Sequence, residues 1–232
     1  MTKIFAHRGL HVEVPENTVA AFAEAKLVGA DGVELDVRRT ADGALVIHHD
    51  AVIEGAGDIG QLKLSELPVG VATLNDAMSA CAGIAVNVEI KNDPSEAAYD
   101  ASGSLAAQVV SALIEGGWRD DVIISSFDLA TCEAVRAVDS DIQIGWLLDW
   151  RRGAAGDLAV AQQRGLNAIH PFFQRTDQAL VQAAHEGGIA VNVWTVNFLE
   201  EMNRLLDLDV DTLITDDPVS ALAAVSARAH LA

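Results

Sequence analysis

Gly32-Val33-Glu34-Leu35-Asp36-Val37 alternates apolar and acidic residues, and Ala85-Val86-Asn87-Val88-Glu89-Ile90-Lys91 repeats the pattern farther along the chain. Successive side chains of a strand point to opposite faces, so Val33, Leu35 and Val37 share one face and Glu34 and Asp36 the other. In the second run Val86, Val88 and Ile90 oppose Asn87, Glu89 and Lys91 by the same rule. Outward from these two runs, further short β-branched segments recur at 4–6, 122–126, 142–147, 167–170, 189–195 and 212–215. Amphipathic, Ala-rich stretches fill the intervals, at 18–28, 74–82, 97–115, 129–138, 157–164, 177–186, 199–206 and 219–229. Eight strands, each followed by a helix, within 232 residues is the arithmetic of a single α/β domain over 1–232 with a (β/α)8 TIM-type barrel. The valine faces then meet the helices, and the charged faces point into the barrel.

Local signals agree. Asn17-Thr18 and Asp216-Asp217-Pro218 supply N-cap and first-turn chemistry for the first and last helices. Gly116-Gly117 and Gly187-Gly188 stand where helices should stop. One segment breaks the alternation: Asp42-Gly43 separates the second strand from Ala44-Leu45-Val46-Ile47-His48-His49, a hairpin signal. It predicts an extra strand after strand 2 that returns His48 or His49 towards the strand-2 carboxylates. The Gly-rich stretch 51–68 reads as an irregular loop on the active face. A doubly wound open sheet is the alternative architecture, weakened by the lack of a Gly-rich dinucleotide fingerprint after the first strand.

Half of the residues (50%) are hydrophobic, enough for a large core, while 15 Lys+Arg against 34 Asp+Glu give a net charge of −19. That balance argues against sequence-independent binding to nucleic acid or to an anionic membrane, both of which need excess positive charge. No apolar run reaches the roughly 18 residues of a membrane span. Met1-Thr2-Lys3-Ile4-Phe5 leads into a strand pattern without a signal-peptide core, so a soluble cytoplasmic protein is expected. Cys81 and Cys132 lie in Ala-rich helical stretches and read as buried thiols.

Carboxylates inside a barrel are costly unless paired or bound to a metal. Glu34, Asp36 and Glu89 near the strand C-termini would form an all-oxygen site suited to Mg²⁺ or Ca²⁺; ion pairing with Lys91 and Arg8 is the competing possibility. His7 closes the first strand and His49 ends the extra one. Two imidazoles beside a metal would make an acid/base pair near neutral pH. His48 and His49 point to opposite faces, so only one of them can reach the carboxylates.

His7-Arg8-Gly9, five residues, then Pro15-Glu16-Asn17-Thr18 resembles the opening signature of the glycerophosphodiester phosphodiesterases. The resemblance continues through Glu34-Leu35-Asp36-Val37, Thr40-Ala41-Asp42-Gly43, Val46-Ile47-His48-His49-Asp50, Val88-Glu89-Ile90-Lys91, Ser125-Ser126-Phe127-Asp128, Val193-Trp194-Thr195-Val196-Asn197 and Thr215-Asp216-Asp217-Pro218, in family order. It implies a metal-dependent (β/α)8 barrel that splits glycerophosphodiesters into glycerol 3-phosphate and an alcohol. Carried over by residue, it implies His7 and His49 as the acid/base pair and Glu34, Asp36 and Glu89 as ligands of a divalent ion. Arg8 matches a phosphate contact, Lys91 and Trp194 match further pocket positions, and Glu16 a partner near His7 or Arg8. The family's catalytic histidine directly precedes Asp, which selects His49 over His48; which histidine is acid and which base stays open. The mechanism usual for such enzymes has the glycerol 2-hydroxyl attack phosphorus, with water opening the cyclic phosphate afterwards.

Two departures concern the substrate cap. Ala51-Val52-Ile53-Glu54-Gly55-Ala56-Gly57 stands where relatives usually carry Arg-Thr-Thr, and the stretch from Asp50 to Glu89 is short. Two other readings therefore accompany the first. A lysophospholipase D or sphingolipid phosphodiesterase on the same barrel would need an apolar lip, for which Phe172-Phe173 and Trp146 are candidates. A non-catalytic, metal-stabilised binding protein would more readily have lost some of the five site residues.

Overall fold

The computed structural model describes residues 1–149, 151 and 154–229. Its first strand, β1 (Lys3–His7), pairs in parallel with both β2 (Gly32–Arg39) and the last strand, so the sheet closes on itself and the open-sheet alternative falls. The elements run α1 (Val19–Leu27), β2, β3 (Leu45–Ile47), β4 (Val52–Ile53), β5 (Gly57–Asp58), α2 (Leu74–Ala80), β6 (Ala85–Ile90), α3 (Ser104–Glu115), β7 (Val122–Ser126) and α4 (Leu129–Val138). They continue with β8 (Gln143–Leu147), α5 (Ala154–Gln163), β9 (Ala168–His170), α6 (Gln178–Glu186), β10 (Ala190–Val193), α7 (Leu199–Asp207), β11 (Thr212–Thr215) and α8 (Pro218–Ala229). Eight parallel strands form the ring in the order β1-β2-β6-β7-β8-β9-β10-β11, and β3 lies outside it, antiparallel to β2. The fold is the expected (β/α)8 barrel with one extra hairpin strand.

The valine faces explain why the ring holds. Val33, Leu35, Val37, Val86, Val88 and Ile90 are all within 1% of full burial and join Phe22, Leu74, Val109 and Leu113 from the helices in one core. Cys81 and Cys132 lie in the same core as free thiols, which burial raises to about 12. Thr18 caps α1 by accepting from Ala21 N–H (3.2 Å), and Asp217 accepts from Ser220 N–H (3.0 Å) at the head of α8.

Three expectations shift in detail. The helix expected over 97–115 begins only at Ser104, because Asp100 draws the preceding turn around its carboxylate, accepting from Ser102 N–H (3.0 Å) and Leu105 N–H (2.6 Å). The loop after His49 contains the small β4–β5 ribbon and two short 3-10 turns, Ile59–Gln61 and Leu64–Glu66. The seventh barrel strand ends at Val193, and Trp194 continues its line through an isolated bridge to Phe172.

Candidate active site

The segment between β1 and α1 is folded onto the second strand. Arg8 and Asn17 both adopt left-handed backbone, each at φ 56, where a residue with a side chain stays only if its surroundings hold it. Arg8 N–H donates to Glu34 Oε2 (3.1 Å), Asn17 N–H to the Arg8 carbonyl (2.9 Å), and Asn17 Nδ2 to Asp36 Oδ2 (2.7 Å). Gly9, at φ +82, admits no side chain, because a Cβ would stand 2.6 Å from the Ala21 carbonyl carbon. The spacing from His7 to Thr18 is thus the length of loop that carries the chain across the strand-2 carboxylates.

Those carboxylates are buried. Glu34, Asp36 and Glu89 are 3%, 1% and 8% exposed, and each offers an oxygen within 4.8 Å of the others. Two cations share the cluster: Lys91 Nζ lies 2.8 Å from Glu89 Oε1 and 3.5 Å from Asp36 Oδ1, and Arg8 Nε lies 3.4 Å from Asp36 Oδ2. Burial works against ionisation of Asp36, but Lys91 and Arg8 overcome it, with help from His49 and the Asn17 amide, and hold its carboxyl low. Glu34 goes the other way. Burial, with Asp36 and Glu89 beside it, pushes its carboxyl well above the usual range.

Ion pairing therefore accounts for Asp36 and Glu89, while for Glu34 the attraction of Arg8 and Lys91 is outweighed by burial and by the two carboxylates beside it. Oxygens within 4.8 Å of one another can meet at a single ion through bonds of about 2.0–2.6 Å. The donor set is all oxygen, which a hard divalent cation suits.

The two histidines are held differently. His7 Nδ1–H donates to Asp216 Oδ1 (2.6 Å), while its Nε2 stands 3.9 Å from Glu34 Oε2. Asp216 also receives Asn197 Nδ2 (2.5 Å) and His11 Nε2 (3.3 Å). Burial opposes ionisation there, yet His7, Asn197 and His11 hold the carboxyl down at about 2. His49 binds Asp50 Oδ1 through Nδ1 (2.7 Å), and burial together with the adjacent Lys91 lowers its imidazole below the usual value. His48 bonds instead to the Asp50 carbonyl (2.9 Å).

A cavity of about 870 Å³ opens beside the cluster, with His49, Glu89, Lys91, Phe127, Trp146 and Trp194 in its wall. Trp194 is partly buried; its Nε1–H donates to the His170 carbonyl (2.7 Å), and the rings of Phe127 and Phe172 each stand 5.4 Å away. Glu16 lies at the edge, pairing with Arg8 Nη1 (2.7 Å). His7, Arg8, Glu16, Glu34, Asp36, Glu89 and Lys91 thus form one contact network, and His49 and Trp194 share the cavity wall with Glu89 and Lys91.

The glycerophosphoryl diester phosphodiesterase family model matches residues 7–220, nearly the whole chain. A glycerophosphodiester phosphodiesterase of Caldanaerobacter subterraneus subsp. tengcongensis is 32% identical, over 94% of this chain and 95% of its own. The chain belongs to the glycerophosphoryl diester phosphodiesterase family. A relative from Bacillus altitudinis, also a glycerophosphodiester phosphodiesterase, shares 28% identity over 96% of this chain and 97% of its own. The fold is that of a Silicibacter pomeroyi protein described as a putative glycerophosphoryl diester phosphodiesterase, at TM-score 0.90 with 23% identity, covering 99% of this chain and 94% of that one. An Oleispira antarctica phosphodiesterase solved with the product sn-glycerol-3-phosphate superposes at TM-score 0.83 with 23% identity, over 97% of each chain.

Several residues at this family site are not legible as site residues in the sequence. Asp216 reads there as part of a helix cap and of a matching motif, with no site role, although it continues the alternation of β11 one step beyond the strand. Asn17 reads as cap chemistry and Phe127 stands in a matching motif, both without a site role, and no spacing singles out His11. His170 is the least expected. It is fully buried, its Nε2 accepts from Asn192 Nδ2 (2.9 Å), and burial pulls its pKa down to about 3.

Proposed function

We propose that the chain is a cytoplasmic, metal-dependent glycerophosphodiester phosphodiesterase, one catalytic domain that converts glycerophosphodiesters to glycerol 3-phosphate and an alcohol. The observation that carries this reading is the buried trio Glu34, Asp36 and Glu89 with oxygens within 4.8 Å of one another, in a chain of this family. Mg²⁺ or Ca²⁺ held by the trio would supply a Lewis acid for a phosphoryl oxygen. Arg8, anchored between Asp36 and Glu16, supplies fixed positive charge for the phosphodiester, and Lys91 supplies a second cation.

Each histidine has one ring nitrogen committed to a carboxylate, His7 to Asp216 and His49 to Asp50. Each therefore keeps Nε2 for proton transfer in a fixed tautomer. One takes the proton of the glycerol 2-hydroxyl as that oxygen attacks phosphorus. The other, protonated on both nitrogens, gives its Nε2 proton to the leaving alcohol, and water then opens the cyclic phosphate with the two proton transfers reversed. Trp194 offers a flat apolar ring to the carbon side of the polyol.

A second reading, a lysophospholipid substrate, draws on the cluster of Phe127, Phe172 and Trp194 beside the cavity, where Phe127 is 44% exposed. The test is release of glycerol 3-phosphate from a panel of glycerophosphodiesters and lysophospholipids, with and without chelator. Release from the small diesters, lost in chelator and restored by Mg²⁺ or Ca²⁺, is the expected result. Preference for the lysophospholipids selects the second reading, and full activity after exhaustive dialysis against chelator removes the metal. No release from any diester under metal-replete conditions favours a binding protein.

A further inference from the structure

Strand β2 carries three inward side chains in line, Glu34, Asp36 and Arg38, at the i, i+2, i+4 spacing of one strand face. The third is only 6% exposed. A buried guanidinium must have its donors matched, and these go to two places. Nε and Nη2 donate to the carbonyl of His49 at 2.9 and 2.7 Å, and Nη1 and Nη2 form a forked pair with Glu96 at 2.7 and 3.0 Å.

The position of His49 shows why its carbonyl needs such a partner. The β2–β3 ladder pairs Val37 with Ile47, and its last rung is His48 N–H to the Asp36 carbonyl (2.9 Å). His49 lies one residue past that rung, outside the barrel ring. Its ring is bonded to Asp50, whose own side chain is 72% exposed. Arg38 reaches past the end of the ladder and holds the main chain of His49 from the barrel side. Glu96 holds Arg38 in turn, from the segment after β6 that Asn92 closes through Asp100 (3.0 and 2.8 Å).

We propose that Arg38, locked by Glu96, is a positioning residue that holds the backbone of His49 at the distance from the reacting phosphorus that proton transfer requires. The inference rests on His49 acting in catalysis, as argued above. A planar fork that serves two acceptors at once is a geometry that Lys cannot reproduce. Misplacement of a catalytic group by about 1 Å costs on the order of 10²-fold.

The test is a double-mutant cycle on the metal-loaded enzyme, with kcat, KM and melting temperature measured for Arg38→Met, Arg38→Lys, Glu96→Gln, His49→Ala and the combinations with His49→Ala. Arg38→Met is expected to lower kcat by about 30- to 100-fold with KM within about twofold, and Arg38→Lys to recover part of the loss. In the His49→Ala background the same change is expected to cost no more than about twofold, because the group it positions is gone. An equal loss in both backgrounds, or a loss confined to KM or to melting temperature, overturns the proposal. If His49→Ala itself keeps full turnover, the catalytic reading of His49 fails instead, and the two failures are told apart. Should Arg38→Met not fold by circular dichroism, Glu96→Gln paired with His49→Ala completes the cycle. A kcat loss of about threefold or more that vanishes without His49 supports the proposal, and one that persists overturns it.

Discussion

The two halves of the barrel interior bury polarity in opposite ways. Around β1, β2 and β6 most inward polar groups are charged, namely Glu34, Asp36, Glu89 and Lys91, with the neutral Asn87 beside them on β6 and His7 and Arg8 at the rim. Around β7 to β10 they are neutral: Ser125, a bare Gly145, His170 and Asn192. The charged half survives burial because each charged group has a partner or shares a cluster that an ion can complete. The neutral half survives because His170 stays unprotonated and Gly145 leaves room for its ring. A Cβ on Gly145 would stand 2.7 Å from the His170 Cδ2 and closer still to Nε2. One half is thus organised for chemistry and the other as a polar but uncharged wall, and substitutions in each half probe that division.

The largest effect is expected in the charged half. His7→Ala and His49→Ala should each lower turnover on the order of 10²- to 10⁴-fold, the range for a general acid or base. His48→Ala should stay within about twofold, since that ring bonds to the Asp50 carbonyl rather than to a carboxylate. Steady-state kinetics on a glycerophosphodiester decide this, and a larger loss for His48 than for His49 would reverse the assignment.

Next comes Gly145→Ala, which should lower stability by about 3 kcal/mol, because the added methyl meets a ring that is fully buried and fixed by Asn192. Urea unfolding measures it; an unchanged midpoint would mean that the His170 ring has other space to occupy.

The neutrality of His170 has its own pH signature. Its pKa in the folded chain is pulled from 6.5 to about 3, so below about 6.5 the unfolded chain binds a proton that the folded chain does not. Stability present at neutral pH is therefore lost on acidification, at up to about 1.4 kcal/mol per pH unit from about 6.5 towards about 3. His170→Gln should flatten that slope between pH 6.5 and 4, measured by urea midpoints against pH. An identical slope in the variant would assign the acid sensitivity to other groups.

The smallest effect tests the boundary between the halves. Trp194→Ala should cost about tenfold in kcat/KM, near 1.4 kcal/mol of transition-state binding, with a modest fall in melting temperature. A large melting shift with kcat/KM intact in the folded fraction would make the ring a core plug rather than a pocket wall.

The charged half is the more legible from sequence, because carboxylates at every second position of a valine-rich strand must turn inward together and meet a cation there. The neutral half is nearly silent. Gly145 and His170 look like ordinary strand residues, and their fit depends on two strands packing side by side. The start of α3 is hidden for a similar reason, since Ala-rich composition masks the local pull of Asp100 on its own loop.

Period-two alternation, helix caps and the Asp-Gly hairpin are properties of neighbouring residues, and they are enough to set the eight βα units, the extra strand and the inward direction of Glu34, Asp36 and Glu89. Partnership across the barrel is not a local property. His7 meets Asp216 across 209 positions of chain, and Arg38 reaches the His49 carbonyl only because β3 folds back along β2. Closure of β1 onto both β2 and β11 is what brings β11 beside β1, and with it Asp216 to His7. Sequence alone determined which side chains face inward, because backbone geometry is local; the tertiary structure decided which of them touch, because contact depends on how the whole ring closes.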